Sequence, residues 1–120
     1  MSTQQAKAFL DQYFHAINSH DYHAYIALLA PGEPAPSPSQ FHREYGSTTD
    51  TGENLSGTST GADGEVVAHV TFTSHQDPSQ SPTGTSCDTW DVSLYLVADS
   101  GSYQIGKPPP GYRAGYKACS

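Results

Sequence analysis

The chain has 120 residues, only 14% of them charged, and a formal net charge of −7 at pH 7. This length corresponds to one domain, large enough to bury about two-thirds of its unfolded surface. No cluster of Lys and Arg occurs, which argues against nucleic acid and anionic membranes as partners. No stretch approaches the roughly 18 apolar residues of a spanning helix, so we expect no membrane insertion.

The N-terminal sequence, MSTQQAKAFL, has neither the basic region nor the apolar run of a secretory signal peptide. The expectation is therefore either a cytosolic protein or a mature fragment that has lost its leader.

The two cysteines bear on that choice. Cys87 precedes a strong strand pattern, and Cys119 is the penultimate residue of a proline-rich tail. A disulfide between them would contribute about 3.7 kcal/mol through loop entropy, whereas two unrelated thiols would contribute nothing. Because disulfides persist in oxidising compartments, this pairing favours an extracytoplasmic, secreted or membrane-tethered protein.

Residues 1–18 predict a first helix, with Ser2 and Gln5 at the spacing of a capping box. Its apolar side chains recur with helical periodicity and form one stripe. The stripe consists of Ala6, Phe9, Leu10, Tyr13, Phe14 and Ile17.

Two further helices are expected before residue 47. Asp21 has the character of an N-cap for a helix over residues 22–30, which Pro31 would end. A shorter helix would follow Ser39, with Phe41 and Tyr45 as its buried contacts because they are four residues apart.

The remaining sequence predicts antiparallel strands over residues 51–60, 65–75, 87–98 and 102–107, the last two joined by a tight hairpin at 99–101. Two of these strands alternate clearly. The expected inward residues are Val66, Ala68, Val70, Phe72, Trp90, Val92, Leu94 and Leu96; the expected outward residues are Val67, His69, Thr71, Thr73, Ser93, Tyr95 and Val97. Helices followed by strands predict an α+β fold with N-terminal helices packed on a curved antiparallel sheet.

The segment AFLDQYFHAINSHDYHAYIALLAPG resembles the opening of the nuclear transport factor 2-like superfamily, which includes ketosteroid isomerase-like and polyketide cyclase-like proteins. The resemblance covers residues 3–107. It implies a cone in which the sheet curls around the first helix and leaves a pocket, used for catalysis, ligand binding or dimerisation. We accordingly divide the chain into a domain of this type over 1–107 and a tail over 108–120 tied back by the disulfide. Such a tail resembles those of secreted or tethered bacterial versions.

Three histidines and an aspartate fall within HAINSHDYH, residues 15–23, but this segment does not predict a metal site. His15 points away from the apolar stripe of the first helix, and Asp21 is needed as a cap. Only His20 and His23 could converge, whereas zinc requires three or four ligands. We expect an ordinary turn, with no metal and no cofactor.

An isomerase or dehydratase would need a base and a hydrogen-bond donor in a dry cavity. Tyr13 could be the donor. The inward strand faces, however, offer no ionisable group, and Asp91 and His69 fall on the outward faces. We therefore assign no catalytic residue.

The sequence favours a non-enzymatic module that binds a small, largely apolar ligand or a protein. The expected pocket residues are Tyr13, Phe14, Tyr25, Phe41 and Trp90. The alternative is a small isomerase, cyclase or dehydratase acting on a hydrophobic ring compound, and a buried carboxylate or histidine near Tyr13 would distinguish the two. The mixed outer sheet face is a candidate surface for homodimerisation.

Overall fold

A computed structural model describes residues 3–99 and 101–119, so the predicted cap Ser2 and part of the predicted hairpin lie outside the described residues. The fold is α+β, as predicted: three helices pack against a five-stranded antiparallel sheet. The helices are α1 (Thr3–Asn18), α2 (Tyr22–Ile26) and α3 (Pro38–Tyr45). The strands are β1 (Thr49–Thr60), β2 (Val66–His75), β3 (Cys87–Asp99), β4 (Ser102–Ile105) and β5 (Gly115–Ala118).

Helix α1 matches its prediction because an apolar stripe is a local signal, and five of the six stripe residues are buried. Asp21 caps α2 as predicted, accepting a hydrogen bond from the Ala24 amide at 3.0 Å. The cap of α3 is Ser37 rather than Ser39, and it forms a capping box with Gln40.

The prediction that α2 extends to residue 30 was wrong. The helix ends at Ile26 because the next backbone groups pair with the end of β4 instead of continuing the helix. The Ala30 amide donates to the Ile105 carbonyl at 2.8 Å, and the Ile105 amide donates to the Leu28 carbonyl at 2.7 Å. A contact with a distant part of the chain therefore overrides the local helical pattern.

The sheet has the order β1-β2-β3-β4, and β5 pairs with the other end of β3. The β2–β3 register is regular and places Val70 opposite Val92 and Phe72 opposite Trp90. Strand β1 begins two residues before the predicted strand and contains two register shifts along β2. Such shifts are typical of β-bulges, which re-aim the side chains around them.

The core lies between α1 and the inward face of the sheet. Phe9, Leu10 and Phe14 of α1 pack with Val70 and Leu96 of the strands. These positions confirm the predicted inward residues of β2 and β3. Of the predicted outward residues, Ser93 and Tyr95 line the cavity described below, and Tyr95 packs against Tyr112 of the tail. Val67, which was assigned to the outward face, is nevertheless buried with 5% exposure.

Cys87 and Cys119 form the predicted disulfide. The tail it fastens is more ordered than the sequence suggested, because Gly115–Ala118 forms a fifth strand antiparallel to β3. The Cys119 amide also donates to the Cys87 carbonyl at 3.0 Å. The division into 1–107 and 108–120 stays a prediction.

Candidate functional site: a cavity with a buried carboxyl group

A cavity of about 420 Å³ lies between the helices and the sheet. Its walls come from α1, α3, the first four strands and the segment 106–114. Most of the lining is aromatic or aliphatic. The aromatic side chains that line it are Tyr13, Phe14, Tyr45, Phe72, Trp90, Tyr95 and Tyr112. This size and lining are typical of a small-molecule site.

Asp50 brings a carboxyl group into this apolar cavity. It lies at the start of β1, directly opposite Ser74 of β2, and both residues line the cavity. Asn18, the last residue of α1, holds the backbone of Asp50 in place. The Asn18 Nδ2 donates to the Asp50 carbonyl at 2.9 Å, and the Asp50 amide donates to Asn18 Oδ1 at 2.7 Å. The end of α1 and the start of β1 are thus joined where the carboxyl group enters the cavity.

The environment of Asp50 disfavours its charged form. The residue is only 5% exposed, and its Oδ1 has no hydrogen-bond partner. Burial, and to a smaller extent the nearby charge of Glu53, raise the pKa of Asp50 from 3.8 to about 7. A carboxyl group with this pKa can both accept and return a proton near neutrality.

Three tyrosines from the three helices form a cluster beside Asp50. Burial raises the pKa of Tyr13, and the charges of Tyr45, Tyr25 and Asp50, together with hydrogen bonding to Tyr25, add to the effect. The pKa of Tyr45 is raised by burial and by the same neighbour, Tyr25. The phenols of Tyr13 and Tyr45 therefore stay protonated at physiological pH and can serve as hydrogen-bond donors.

A hydrogen-bonded chain runs along the cavity wall from Trp90 to Asp88. The Trp90 Nε1 donates to Ser74 Oγ at 2.9 Å, and Ser74 Oγ donates to Gln76 Oε1 at 2.6 Å. The Gln76 Nε2 in turn donates to Asp88 Oδ2 at 3.1 Å. Because the Ser74 hydroxyl proton is already engaged, it does not serve Asp50, its neighbour across the strands.

Asp88 is a second buried carboxyl group, but it is fully satisfied. It is 0% exposed and accepts hydrogen bonds from Ser81, Thr83 and Thr85 as well as Gln76. Burial alone would raise its pKa, but these hydrogen bonds outweigh burial and lower the pKa below its usual value. Asp88 thus organises the 76–88 loop and has no open position for a ligand.

The tail closes one side of the cavity. Tyr112 accepts a hydrogen bond from the Ser93 amide at 2.6 Å and packs edge-on against Tyr95, with ring centroids 5.9 Å apart. Pro108 and Ala114 line the cavity with it. The wall segment 106–114 is held between β4 and β5, and β5 is fastened by the disulfide.

The predicted pocket residues occupy two layers. Tyr13, Phe14 and Trp90 line the cavity. Tyr25 and Phe41 lie behind it, in contact with each other at 5.1 Å between ring centroids. Tyr25 also contacts Tyr13 at 5.9 Å, so the second layer supports the first.

The histidine-rich segment forms a turn in which side chains have structural roles. His20 adopts a positive φ of 55°, and its Nε2 lies 3.0 Å from the Thr48 carbonyl oxygen. Asp21 caps α2, and the His23 ring packs against Tyr22. Within residues 3–99 and 101–119, no group of three His, Cys, Asp or Glu side chains is placed to hold a metal ion.

The sequence reasoning missed Asp50 because its predicted strand began at residue 51 and lacked clear alternation. The sequence feature that could have pointed to Asp50 is the spacing between an Asn at the end of α1 and the first strand. No local pattern, however, shows that Asn18 and Asp50 are in contact.

Comparison with protein-family models, with curated proteins and with solved structures found no significant match for this chain. Among the described residues, no helix is both long and apolar enough to cross a membrane.

Proposed function

We propose that the cavity binds a small, largely apolar ring compound and that Asp50 transfers a proton on it, as in an isomerase, cyclase or dehydratase. The observation that carries this proposal is the unpartnered Oδ1 of a buried carboxyl group inside an aromatic cavity. A buried carboxylate near Tyr13 is the feature that distinguishes an enzyme from a binding module, and Asp50 is such a carboxylate.

The proposed step is proton abstraction next to a carbonyl group. The Asp50 carboxylate accepts the proton as the C–H bond breaks, and the electron pair moves onto the carbonyl oxygen. The Tyr13 hydroxyl donates a hydrogen bond to that oxygen as its negative charge develops. Asp50 then returns the proton to another carbon of the enolate, or exchanges it for a solvent proton that it returns to the same carbon. Either route restores the carbonyl group and the carboxylate.

The test is hydrogen–deuterium exchange on 2-tetralone in D₂O, followed by proton NMR. The protein should accelerate exchange above the buffer rate, Asp50→Asn should lower the acceleration about 10²-fold or more, and Tyr13→Phe should lower it less. Asp63→Asn, the same change in an exposed turn, is the control and should exchange as the unaltered protein does. Exchange that is unaffected by Asp50→Asn would refute the proposed role.

A non-enzymatic ligand-binding module is the second candidate. It is favoured by the lining of the cavity, which is mostly aromatic or aliphatic and, among its described residues, offers no Lys, Arg or His side chain to stabilise an oxyanion. Binding of 2-tetralone to the cavity without any catalysed exchange would establish this alternative.

We further propose that the chain is a divergent member of the nuclear transport factor 2-like superfamily and acts outside the cytoplasm. Its helix-then-strand order and cavity support the first point. The Cys87–Cys119 disulfide supports the second, since such bonds persist in oxidising compartments. Mass determination of the protein isolated from its native compartment, with and without thiol alkylation, tests the location.

Homodimerisation through the outer sheet face is also a proposal. Its support is Val97, a large apolar side chain that remains 42% exposed on that face. Analytical ultracentrifugation should show a dimer that Val97→Glu dissociates. A monomer at all concentrations would exclude it.

A further inference from the structure

The charged side chains of the cavity wall are all acidic. Glu44 and Asp50 line it, whereas none of the described lining residues is Lys, Arg or His. The chain as a whole carries a net charge of −7, so its long-range field has the same sign. A ligand with a positive charge would therefore be attracted to the cavity, and an anion would be repelled.

Within this negative field, Asp50 is the group that a ligand cation would contact. Its side chain is more than nine-tenths buried, lines the cavity and leaves Oδ1 without a hydrogen-bond partner. Ion pairing is scarce in the described part of the chain, where the single pair is Lys7–Asp11 on the surface. A buried carboxylate without a partner is costly, and a ligand cation beside it would remove that cost.

The walls around Asp50 suit an organic cation. Tyr13 and Tyr45 are close enough for the charge of Asp50 to act on both. Phe72 and Trp90 stack nearly parallel, 11° apart with centroids separated by 6.2 Å, and both line the cavity. Aromatic faces attract ammonium groups through their quadrupoles, and they also bury the apolar body of a ring compound.

We propose that the cavity selects ring compounds bearing a positively charged nitrogen, with the nitrogen beside Asp50 and the ring against Phe72 and Trp90. This inference rests on the proposed use of the cavity as a ligand site and narrows its ligand to one chemical class. A hard metal cation does not fit as well, because calcium or magnesium takes six or more oxygen ligands rather than one carboxylate among aromatic rings.

Binding should also depend on pH, because only ionised Asp50 attracts a cation. The titratable and charged groups around it are Glu53 on its own strand, Glu44 and Tyr45 from α3, the Tyr13–Tyr25 pair from α1 and α2, and His20 of the turn before α2, whose Nε2 lies 3.0 Å from the Thr48 carbonyl oxygen. Tyr13 and Tyr45 stay neutral in the physiological range, and the two glutamates reinforce the attraction. Preference for a cation should therefore rise between pH 5.5 and 8.5.

The test compares three probes that share a naphthalene body and differ in charge: (2-naphthylmethyl)trimethylammonium, 2-naphthylmethanol and 2-naphthoate. The quaternary nitrogen does not titrate, so any pH dependence belongs to the protein. Isothermal titration calorimetry at pH 8.5 should show the cation binding about tenfold more tightly than the alcohol, with the anion weakest. At pH 5.5 the advantage of the cation should largely disappear.

Two variants test whether Asp50 causes the preference for the cation. Asp50→Asn should remove the tighter binding of the cation relative to the alcohol, whereas the exposed control Asp63→Asn should keep that difference as in the unaltered protein. The pH series on the unaltered protein keeps the inference falsifiable even if Asp50→Asn does not fold.

Equal or tighter binding of the alcohol at pH 8.5, binding of no probe, or a cation preference that survives Asp50→Asn would each overturn the inference. Its failure can be separated from that of the proposed function, since alcohol binding without cation preference leaves the exchange assay to decide catalysis. A cation preference without catalysed exchange would support the inference and refute proton transfer.

Discussion

Asn18 at the end of α1 and Asp50 at the start of β1 exchange two backbone-to-side-chain hydrogen bonds, at 2.9 and 2.7 Å. This clamp fixes where the Asp50 carboxyl group enters the cavity. Most of the remaining cavity lining is aromatic or aliphatic, so the position of this carboxyl group determines much of the chemistry of the site.

Asn18→Ala should destabilise the protein by about 1–3 kcal/mol, because it removes both hydrogen bonds and leaves a half-buried backbone amide and carbonyl unpaired. Urea denaturation measures the loss. Gln12→Ala, at an exposed position of the same helix, is the matched control and should stay within about 0.5 kcal/mol of the unaltered protein. Equal midpoints for both variants would show that the clamp contributes nothing.

Asp50 should make the protein less stable as pH rises. Its pKa in the folded state, about 7, is above the ordinary value of 3.8, so the folded state binds more protons between these values. The free energy of unfolding should therefore fall from pH 4 to pH 7, by about 4 kcal/mol at most from this group.

Asp50→Asn removes that titration and keeps the shape of the side chain. The variant should be more stable than the unaltered protein at pH 8 and close to it at pH 4.5, as measured by urea denaturation at both values. Comparing the two proteins at each pH cancels the contribution of the other acidic groups. A stability difference that does not change with pH would contradict the assigned burial.

Asp88 should make the protein more stable as pH rises, the opposite of the effect of Asp50. Its pKa is lowered in the folded state by its hydrogen bonds, so its contribution is present above pH 3.8 and is lost as pH falls through the lowered value. Asp88→Asn should cost about 3 kcal/mol at pH 7, because hydrogen bonds to a charged acceptor are replaced and an amide donor faces hydroxyl donors. Asp91→Asn, an exposed change in the same strand, should be nearly neutral in thermal or urea denaturation.

The disulfide should stabilise both the fold and the cavity wall. Cys119→Ser should lower the free energy of unfolding by about 3.7 kcal/mol in the loop-entropy model. Amide hydrogen exchange should then accelerate across β5 and residues 106–114, which the bond fastens, and stay slow in α1 and the β2–β3 pair. Unchanged exchange in β5 would mean that strand pairing alone holds the tail.

Local patterns predicted those parts of the fold that depend on neighbouring residues. The stripe of α1 and the alternation of β2 and β3 each bury one face, so Phe14 and Val70 lie in the core as expected. The Asp21 cap was predictable for the same reason. The pairing of Cys87 with Cys119 followed from the position of a cysteine at the chain end.

Long-range contacts account for what the sequence did not reveal. Helix α2 stops early because Leu28 and Ala30 pair with Ile105 on β4. Two register shifts in β1 obscure its alternation, so nothing local shows that Asp50 faces inward. Its isolation in the cavity depends on Asn18, Ser74 and Gln76, which come from α1, β2 and the loop after β2.

The most direct measurement is a carbon-13 NMR titration of the Asp50 carboxyl carbon, assigned by comparison with Asp50→Asn. A midpoint near pH 7 is the predicted result, and it would show a carboxyl group buried without a partner and ready to exchange a proton near neutrality. A midpoint near 4 would show a solvated or hydrogen-bonded carboxylate. That result would contradict Asp50 as the base of the cavity.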